Sequence, residues 1–266
     1  MKRKVFFFDF DDTLYSHTTK EVPSSTHIAL KRLKSLGHMV IVATGRGKES
    51  IALISKELGF TPETVIVLNG QVVVQDGKIV YENRITLTSM DAIIRKAKIN
   101  DYAYGGYRGE GIVVNKYNSR VSAVWEDFLT PPPLLCPEME QYHNLYQGHL
   151  YITEAEAQYF EPELDDYLTN WSHEYLVNLI PKQAGKSQAI RWLIDNMKLR
   201  VEDTYAFGDG FNDCDMLLAV GHGVAMGNAT EQLKGFAEYV TSHIDNDGIM
   251  EALNYYNILE SLQKFE

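Results

Sequence analysis

Apolar residues recur in a fixed order along the first part of the chain. Val5 to Phe8 is a short run that is apolar at every position and ends in Asp9-Phe10-Asp11-Asp12-Thr13. Such a run predicts a strand buried on both faces, as inside a parallel sheet. Ile28, Leu30, Leu33 and Leu36 then line one face of a helix expected to start at a Ser25 cap and to end at Gly37. Met39 to Ala43 is a second buried strand and ends in Thr44-Gly45-Arg46. A helix through Ile51 to Ile54 follows, then a third strand over Val65 to Leu68 that ends at Asn69-Gly70. Strand, helix, strand, helix, strand is the order of a doubly wound α/β sheet.

The order breaks after Gly70. Gln71 to Val80 alternates about Asp76-Gly77, a hairpin signal. Beyond it the pattern is mixed. A helix is expected over Ser89 to Ala97, and extended pieces over Tyr102 to Tyr107, Gly111 to Asn115 and Leu150 to Thr153. A second helix is expected over Glu154 to Leu168 and a strand over Tyr175 to Ile180. Pro131-Pro132-Pro133 reads as a stiff loop within this region rather than a domain linker. The first rhythm then resumes. Ile190, Leu193, Ile194 and Met197 mark a helix face, with Gly185-Lys186-Ser187 at its start. Thr204 to Phe207 is a strand ending in Gly208-Asp209-Gly210-Phe211-Asn212-Asp213. A short helix through Met216 to Leu218, a strand over Gly223 to Met226, a helix opened by an Asn228 cap and a last strand over Tyr239 to Thr241 complete the series. The pattern predicts an α/β core made of residues 1–80 and 181–266, interrupted by an inserted α+β domain over 81–180.

Charge and composition narrow the class of partner. The net charge of -11 disfavours a nucleic-acid binder, which would need a basic face. Much of the acidic excess lies between Tyr81 and Asn178, which mildly disfavours polyanionic substrates there. Two cysteines, Cys136 and Cys214, make no disulfide framework. The apolar run after Met1-Lys2-Arg3-Lys4 stops at Asp9, too short for a signal-peptide core, and no run approaches the roughly 18 apolar residues of a membrane helix. The expectation is a soluble cytoplasmic protein, a monomer or homodimer, with no membrane and no nucleic-acid partner.

The chemistry lies at the strand ends, where open parallel sheets bind ligands. Asp9, Asp11 and Asp12 crowd carboxylates together, which is costly unless a cation joins them. Oxygen ligands alone favour Mg²⁺. Thr44-Gly45, Lys186, and Asp209 with Asn212 and Asp213 fall on the same sheet edge. Together these clusters supply a nucleophile, an acid/base, phosphate donors, a cation and a metal pair. The histidines have no metal-ligand spacing and read as surface or packing residues.

This combination resembles the haloacid dehalogenase (HAD) superfamily of phosphotransferases. The insert after Asn69-Gly70 is similar to that superfamily's type IIB cap. Gly208-Asp209-Gly210-Phe211-Asn212-Asp213 and Gly223-Val224-Ala225-Met226-Gly227-Asn228-Ala229 are similar to its Cof-type branch. The resemblance implies a HAD-like core and a cap, with Asp9 as nucleophile and Asp11 as general acid and base. It implies Mg²⁺ held by the carboxylates of Asp9 and Asp209 and by the backbone carbonyl of Asp11. Thr44, the Gly45 N–H and Asn212 would hold phosphate, and Lys186 would place a positive charge on Asp9 and the phosphate. Asp213 would order either the metal's water shell or Lys186, and Thr13 would support its loop and orient Asp11. Asp12 stands where the branch usually has glycine and reads as a solvent-facing turn residue. Arg46 either faces substrate or ties its loop to the core. The cap loop Tyr104-Gly105-Gly106-Tyr107-Arg108 would read the substrate, with Lys116 and Arg120 as further candidates.

The implied activity is Mg²⁺-dependent hydrolysis of small phosphorylated metabolites, sugar phosphates or phosphorylated cofactors, through an aspartyl-phosphate. A phosphohexomutase of the same fold is the alternative, although Arg84, Arg95, Arg108 and Arg120 are thinly spread for a cap that must shield a reorienting intermediate. A non-catalytic phospho-responsive module akin to a receiver would lack Asp11 and the cap. A metabolite-binding relic would not need the complete motif set.

Overall fold

The computed structural model describes residues 2–85, 87–109, 111–128, 132–138, 145–182 and 184–259. Pro131 lies outside them. The chain forms two compact units: Met1–Glu82 with Gly185–Glu266, and Asn83–Ala184. In chain order the first unit opens with β1 (Val5–Phe8), α1 (Ser24–Ser35), β2 (Met39–Ala43), α2 (Ile51–Leu58), β3 (Thr64–Val67), β4 (Val72–Gln75) and β5 (Lys78–Glu82). The second unit holds α3 (Leu87–Ile99), β6 (Ala103–Tyr107), β7 (Ile112–Val114), α4 (Ser119–Asp127), β8 (Leu134–Leu135), β9 (Gln147–Tyr151), β10 (Tyr167–His173) and β11 (Leu176–Pro181). The first unit resumes with α5 (Lys186–Asn196), β12 (Thr204–Gly208), α6 (Cys214–Leu218), β13 (His222–Ala225), α7 (Glu231–Lys234), β14 (Tyr239–Val240) and α8 (Gly248–Tyr255).

The sheet of the first unit runs β14-β13-β12-β1-β2-β3-β4-β5. It is parallel from β14 to β3, and β4 and β5 add an antiparallel hairpin. β1 is paired on both edges, Val5 opposite Thr204 on one side and Met39 on the other. All four of its residues are buried, which explains why its sequence is apolar without alternation. Phe6 stacks on Tyr205 at 4.8 Å and Phe8 on Phe207 at 4.7 Å, so β1 and β12 are joined by side chains as well as by the ladder. One face of the sheet packs Val5, Phe7 and Ile41 against Ala189, Ile190 and Leu193 of α5. Asp76 and Gly77 both adopt left-handed conformations, at φ 49° and 74°, and close the β4–β5 hairpin as their sequence predicts.

The sheet of the second unit runs β10-β11-β9-β6-β7-β8. On one face, Met90, Ile93, Ile94 and Ala97 of α3 pack with Tyr104, Leu150, Val177 and Leu179. On the other, Val121, Val124 and Trp125 of α4 pack with Val114, Tyr151 and Leu176.

Three local expectations are corrected. No α-helix spans Glu154 to Leu168. Two 3₁₀ segments, Glu154–Phe160 and Glu163–Asp166, lead instead into β10. Pro162 between them lacks the N–H an α-helix would need. α1 begins at Ser24 after Pro23, with no side-chain cap from Ser25. Asn228 opens no helix; α7 is capped by Thr230, whose hydroxyl accepts from the Leu233 N–H. Helices α4 and α8 were absent from the sequence reading. No helix among the described residues is long and apolar enough to cross a membrane.

Candidate active site

β1 delivers Asp9 to the carboxyl edge of the sheet. The Asp9 N–H still donates to Phe207 O at 2.9 Å, so the backbone remains in the ladder while the carboxylate passes beyond it. Lys186 is the first residue of α5 and is fully buried. Its Nζ donates to Asp9 Oδ1 at 2.5 Å and to Asp213 Oδ1 at 2.6 Å. The other oxygen of Asp213 accepts the backbone N–H groups of Asp209 and Gly210, both at 3.0 Å. Asp213 is thus fixed by its own loop and in turn fixes Lys186. Of the two roles left open for Asp213, the geometry supports the second.

The carboxylates of Asp9, Asp209 and Asp213 offer oxygens within 4.8 Å of one another. Burial raises the Asp9 carboxyl well above its usual range, Lys186 opposing the rise and Asp213 and Asp209 adding to it. Burial likewise pushes Asp209 up to about 6, against a hydrogen bond from Thr13. Burial by itself would lower Lys186, but Asp213 and Asp9 outweigh it and hold the ammonium above the usual lysine value. One buried cation faces three carboxylates. That surplus of negative charge is the environment a divalent cation fits.

The loops around this floor are tied to each other. Leu68, Asn69 and Gly70 all have positive φ. The Leu68 N–H donates to Arg46 O and the Asn69 N–H to Thr44 O, at 2.9 and 3.0 Å. Asn69 Oδ1 accepts from Asn212 Nδ2 at 3.1 Å. Asn69, which the sequence marked only as a strand end, therefore joins the two loops expected to hold phosphate. Thr44 is buried, and its hydroxyl oxygen accepts from the Arg46 N–H at 3.1 Å.

Asp11 is held from two sides. Arg46 donates from Nε to Oδ2 at 2.9 Å and from Nη2 to Oδ1 at 2.5 Å, and its guanidinium lies over the Phe10 ring. Arg46 thus ties its loop to Asp11, and it also lines the cavity that Asp11 borders. His17 Nε2 lies 2.9 Å from Asp11 Oδ1. Thr13 is directed differently from expectation, since its buried hydroxyl donates to Asp209 Oδ1 at 2.8 Å and not to Asp11. Asp12 has φ 53°, a left-handed position that glycine occupies freely and Asp tolerates. It is no free turn residue. Its carboxylate accepts the His17 N–H, and its carbonyl accepts from Asn228 Nδ2 at 2.7 Å. A cavity of about 380 Å³ opens onto this edge, and Asp9, Asp11, His17, Arg46, Asp209 and Asn212 are among the residues that line it.

The haloacid dehalogenase-like hydrolase family matches the chain over residues 6–253. The chain belongs to that family. The hydrolase is 31% identical to YkrA of Bacillus subtilis strain 168, across 98% of this chain and 100% of YkrA. Two solved phosphatase structures are similar to it throughout. BT1666 of Bacteroides thetaiotaomicron, a HAD phosphatase, has a TM-score of 0.84 and 29% identity, with 96% of each chain covered. The subclass IIB sugar phosphatase BT4131 has a TM-score of 0.77 and 29% identity, covering 96% of this chain and 99% of its own. The hydrolase is a phosphatase of the Cof-type, subclass IIB branch.

In the second unit of this phosphatase the expected substrate loop divides. Tyr104 is 1% exposed and packs in the core beneath α3, so it is withdrawn as a specificity residue. Its place on an inward-facing position of β6 gives the reason. Tyr107 and Arg108 follow at the strand end and are half-buried. Lys116 is paired with Asp101. Arg120 makes a two-bonded pair with Glu156, at 2.6 and 2.9 Å, and holds that carboxyl down at about 2. Both cations are committed within their own unit. His17 is exposed, as its reading among surface or packing histidines expects, but its contact with Asp11 was not foreseen, since nothing in its spacing distinguishes it.

Proposed function

We propose that this phosphatase hydrolyses small phosphorylated metabolites, sugar phosphates or phosphorylated cofactors, with Mg²⁺ and through an aspartyl-phosphate on Asp9. The observation that carries the reading is the buried Lys186 ammonium joining Asp9 to Asp213 beside the carboxylate of Asp209. A carboxylate so placed is oriented for attack and has its charge partly offset. Asp11, two residues on and lining the same cavity, is the group that would protonate the leaving oxygen and later take a proton from water. Gly45 and Asn212 line the same cavity, and with Thr44 beside Gly45 in sequence they are the groups that would bond the phosphate oxygens.

Mg²⁺ would be held by the carboxylates of Asp9 and Asp209 and by the backbone carbonyl of Asp11. It would supply charge neutralisation between an anionic nucleophile and an anionic phosphate. Asp213 is the less suitable ligand, because Lys186 and two backbone N–H groups already occupy its oxygens. The sugar-phosphate part of the proposal draws on the likeness to BT4131.

The test is phosphate release from a panel of phosphorylated metabolites, with Mg²⁺ or with chelator, in wild type and Asp9→Asn. The expected result is turnover on a narrow set, lost in chelator and in the variant. Turnover that survives Asp9→Asn would remove the covalent route. An inert wild type across the panel would remove the substrate class.

A further inference from the structure

We propose that His17 is a positioning residue for Asp11 and selects which oxygen of that carboxylate exchanges a proton with substrate. The inference rests on Asp11 being the acid and base of the proposed reaction. An ionised carboxylate has about four acceptor directions, two on each oxygen. Arg46 takes one on each, through Nε to Oδ2 and Nη2 to Oδ1. By Arg46 alone the two oxygens are equivalent. His17 Nε2, 2.9 Å from Oδ1, breaks the equivalence. Oδ1 then has two donors, and Oδ2 alone keeps an open direction.

The His17 side chain is 55% exposed, yet both its backbone and its ring have partners that hold it here. The His17 N–H donates to Asp12 Oδ1 at 2.9 Å, and Asp12 is itself fixed in a left-handed turn. The ring meets Tyr15 edge-on, at 5.5 Å and 79°. Tyr15 stacks on Phe10 at 5.6 Å, and Phe10 underlies the Arg46 guanidinium at 5.1 Å. One row of rings therefore carries both donors that hold Asp11. His17 also lines the cavity into which Asp9 and Asp11 open.

The assignment gives each proton a place. As an Asp9 oxygen bonds to phosphorus and the bond to the leaving oxygen breaks, the proton on Asp11 Oδ2 passes to that oxygen. Asp11 is left ionised, with Arg46 and His17 donating to it. In the second half, Oδ2 takes a proton from the water that attacks the phosphoaspartate. Inorganic phosphate leaves, and Asp9 and the acid form of Asp11 are restored.

The test compares two esters in wild type, His17→Ala and His17→Gln. One is the alkyl phosphate turned over best in the panel; the other is p-nitrophenyl phosphate, whose leaving group departs without a proton. The reading is kcat/KM, which covers steps only as far as release of the alcohol or phenol. General acid catalysis contributes about 10²–10⁴-fold, and Arg46 still holds Asp11, so His17→Ala should lower the alkyl value about tenfold and the aryl value by less than about twofold. His17→Gln, which can donate from a similar position, should restore most of the alkyl rate. Equal losses on both esters, or no loss on either, would overturn the role of His17 while leaving the phosphatase reading intact. A wild type inactive on both esters would overturn that reading and this one with it.

Discussion

Replacing Gly70 with alanine tests how tightly the lysine is held. Gly70 has φ 91°, and an added Cβ would lie 2.1 Å from the carbonyl oxygen of Gly185 and 2.8 Å from Lys186 Cα. Both contacts are backbone, so no side chain can turn aside. Reaching ordinary contact requires the start of α5 to move by about 1 Å, and a misplacement of that size at a catalytic group costs about 10²-fold in rate. Lys186 is the first residue of α5, so its bonds of 2.5 and 2.6 Å to Asp9 and Asp213 lengthen past hydrogen-bonding range. The left-handed backbone adds about 1–2 kcal/mol against alanine, and overpacking adds about 1–3 kcal/mol, for a total loss of about 2–5 kcal/mol. Gly70→Ala should therefore be less stable by that amount in urea and about 10²-fold slower in phosphate release, with KM changed less than kcat. Unfolding free energy and kcat both near wild type would refute the argument that this close approach positions Lys186.

Lys186→Met leaves Asp9 and Asp213 buried without their cation; breaking a buried pair costs about 3–5 kcal/mol, and a urea midpoint unchanged from wild type would contradict it. Folded-state values raised above the unfolded ones, as for Asp9 and for Asp209 at about 6, give stability that is full below the unfolded carboxylate value and lost as pH rises through the folded one. Metal-free protein should thus lose stability from about pH 4 to pH 6, and Mg²⁺ should raise Tm more at pH 7 than at pH 5. A Tm gain from Mg²⁺ that is the same at both would count against the carboxylate set as its site. Asn228→Ala removes bonds to Asp12 O and from Ile244 N–H, and should cost about 1–2 kcal/mol in denaturant titration.

The sequence and the structure agree where the signal is local. β1 is buried on both faces, and its apolar run says so without needing a partner. Strand ends carry their chemistry in adjacent residues, which is why Asp9, Thr44 and Asp209 could be found in order. The insert is harder to read. Phe160, Leu164 and Leu168 are spaced as one face of a helix, yet Phe160 is buried and Leu168 is 47% exposed on β10. Among the described residues β10 pairs on one edge only, and its burial does not alternate along the strand. The site's remaining features are long-range. Asn228 reaches Asp12 across 216 positions, and Arg46 reaches Asp11 across 35. Spacing carries no trace of either bond, so Asn228 read as a helix cap and Arg46 was left between two roles.

The interrupted core also has a consequence for how the protein is made. β1 is emitted long before its partner on one edge, β12, which begins at Thr204. At about 5–20 residues per second, the nascent chain waits roughly 6–25 seconds between completing β5 and supplying that partner. Through this interval Val5–Phe8 has one edge open, and for most of it Lys186 has not been made. The intervening residues form a unit with two hydrophobic clusters of its own. Because that unit is compact, its folding on the ribosome would shorten the loop that must close before the last strands can add. A chain whose insert stays unfolded should therefore keep that loop long and accumulate aggregates through the exposed edge of β1.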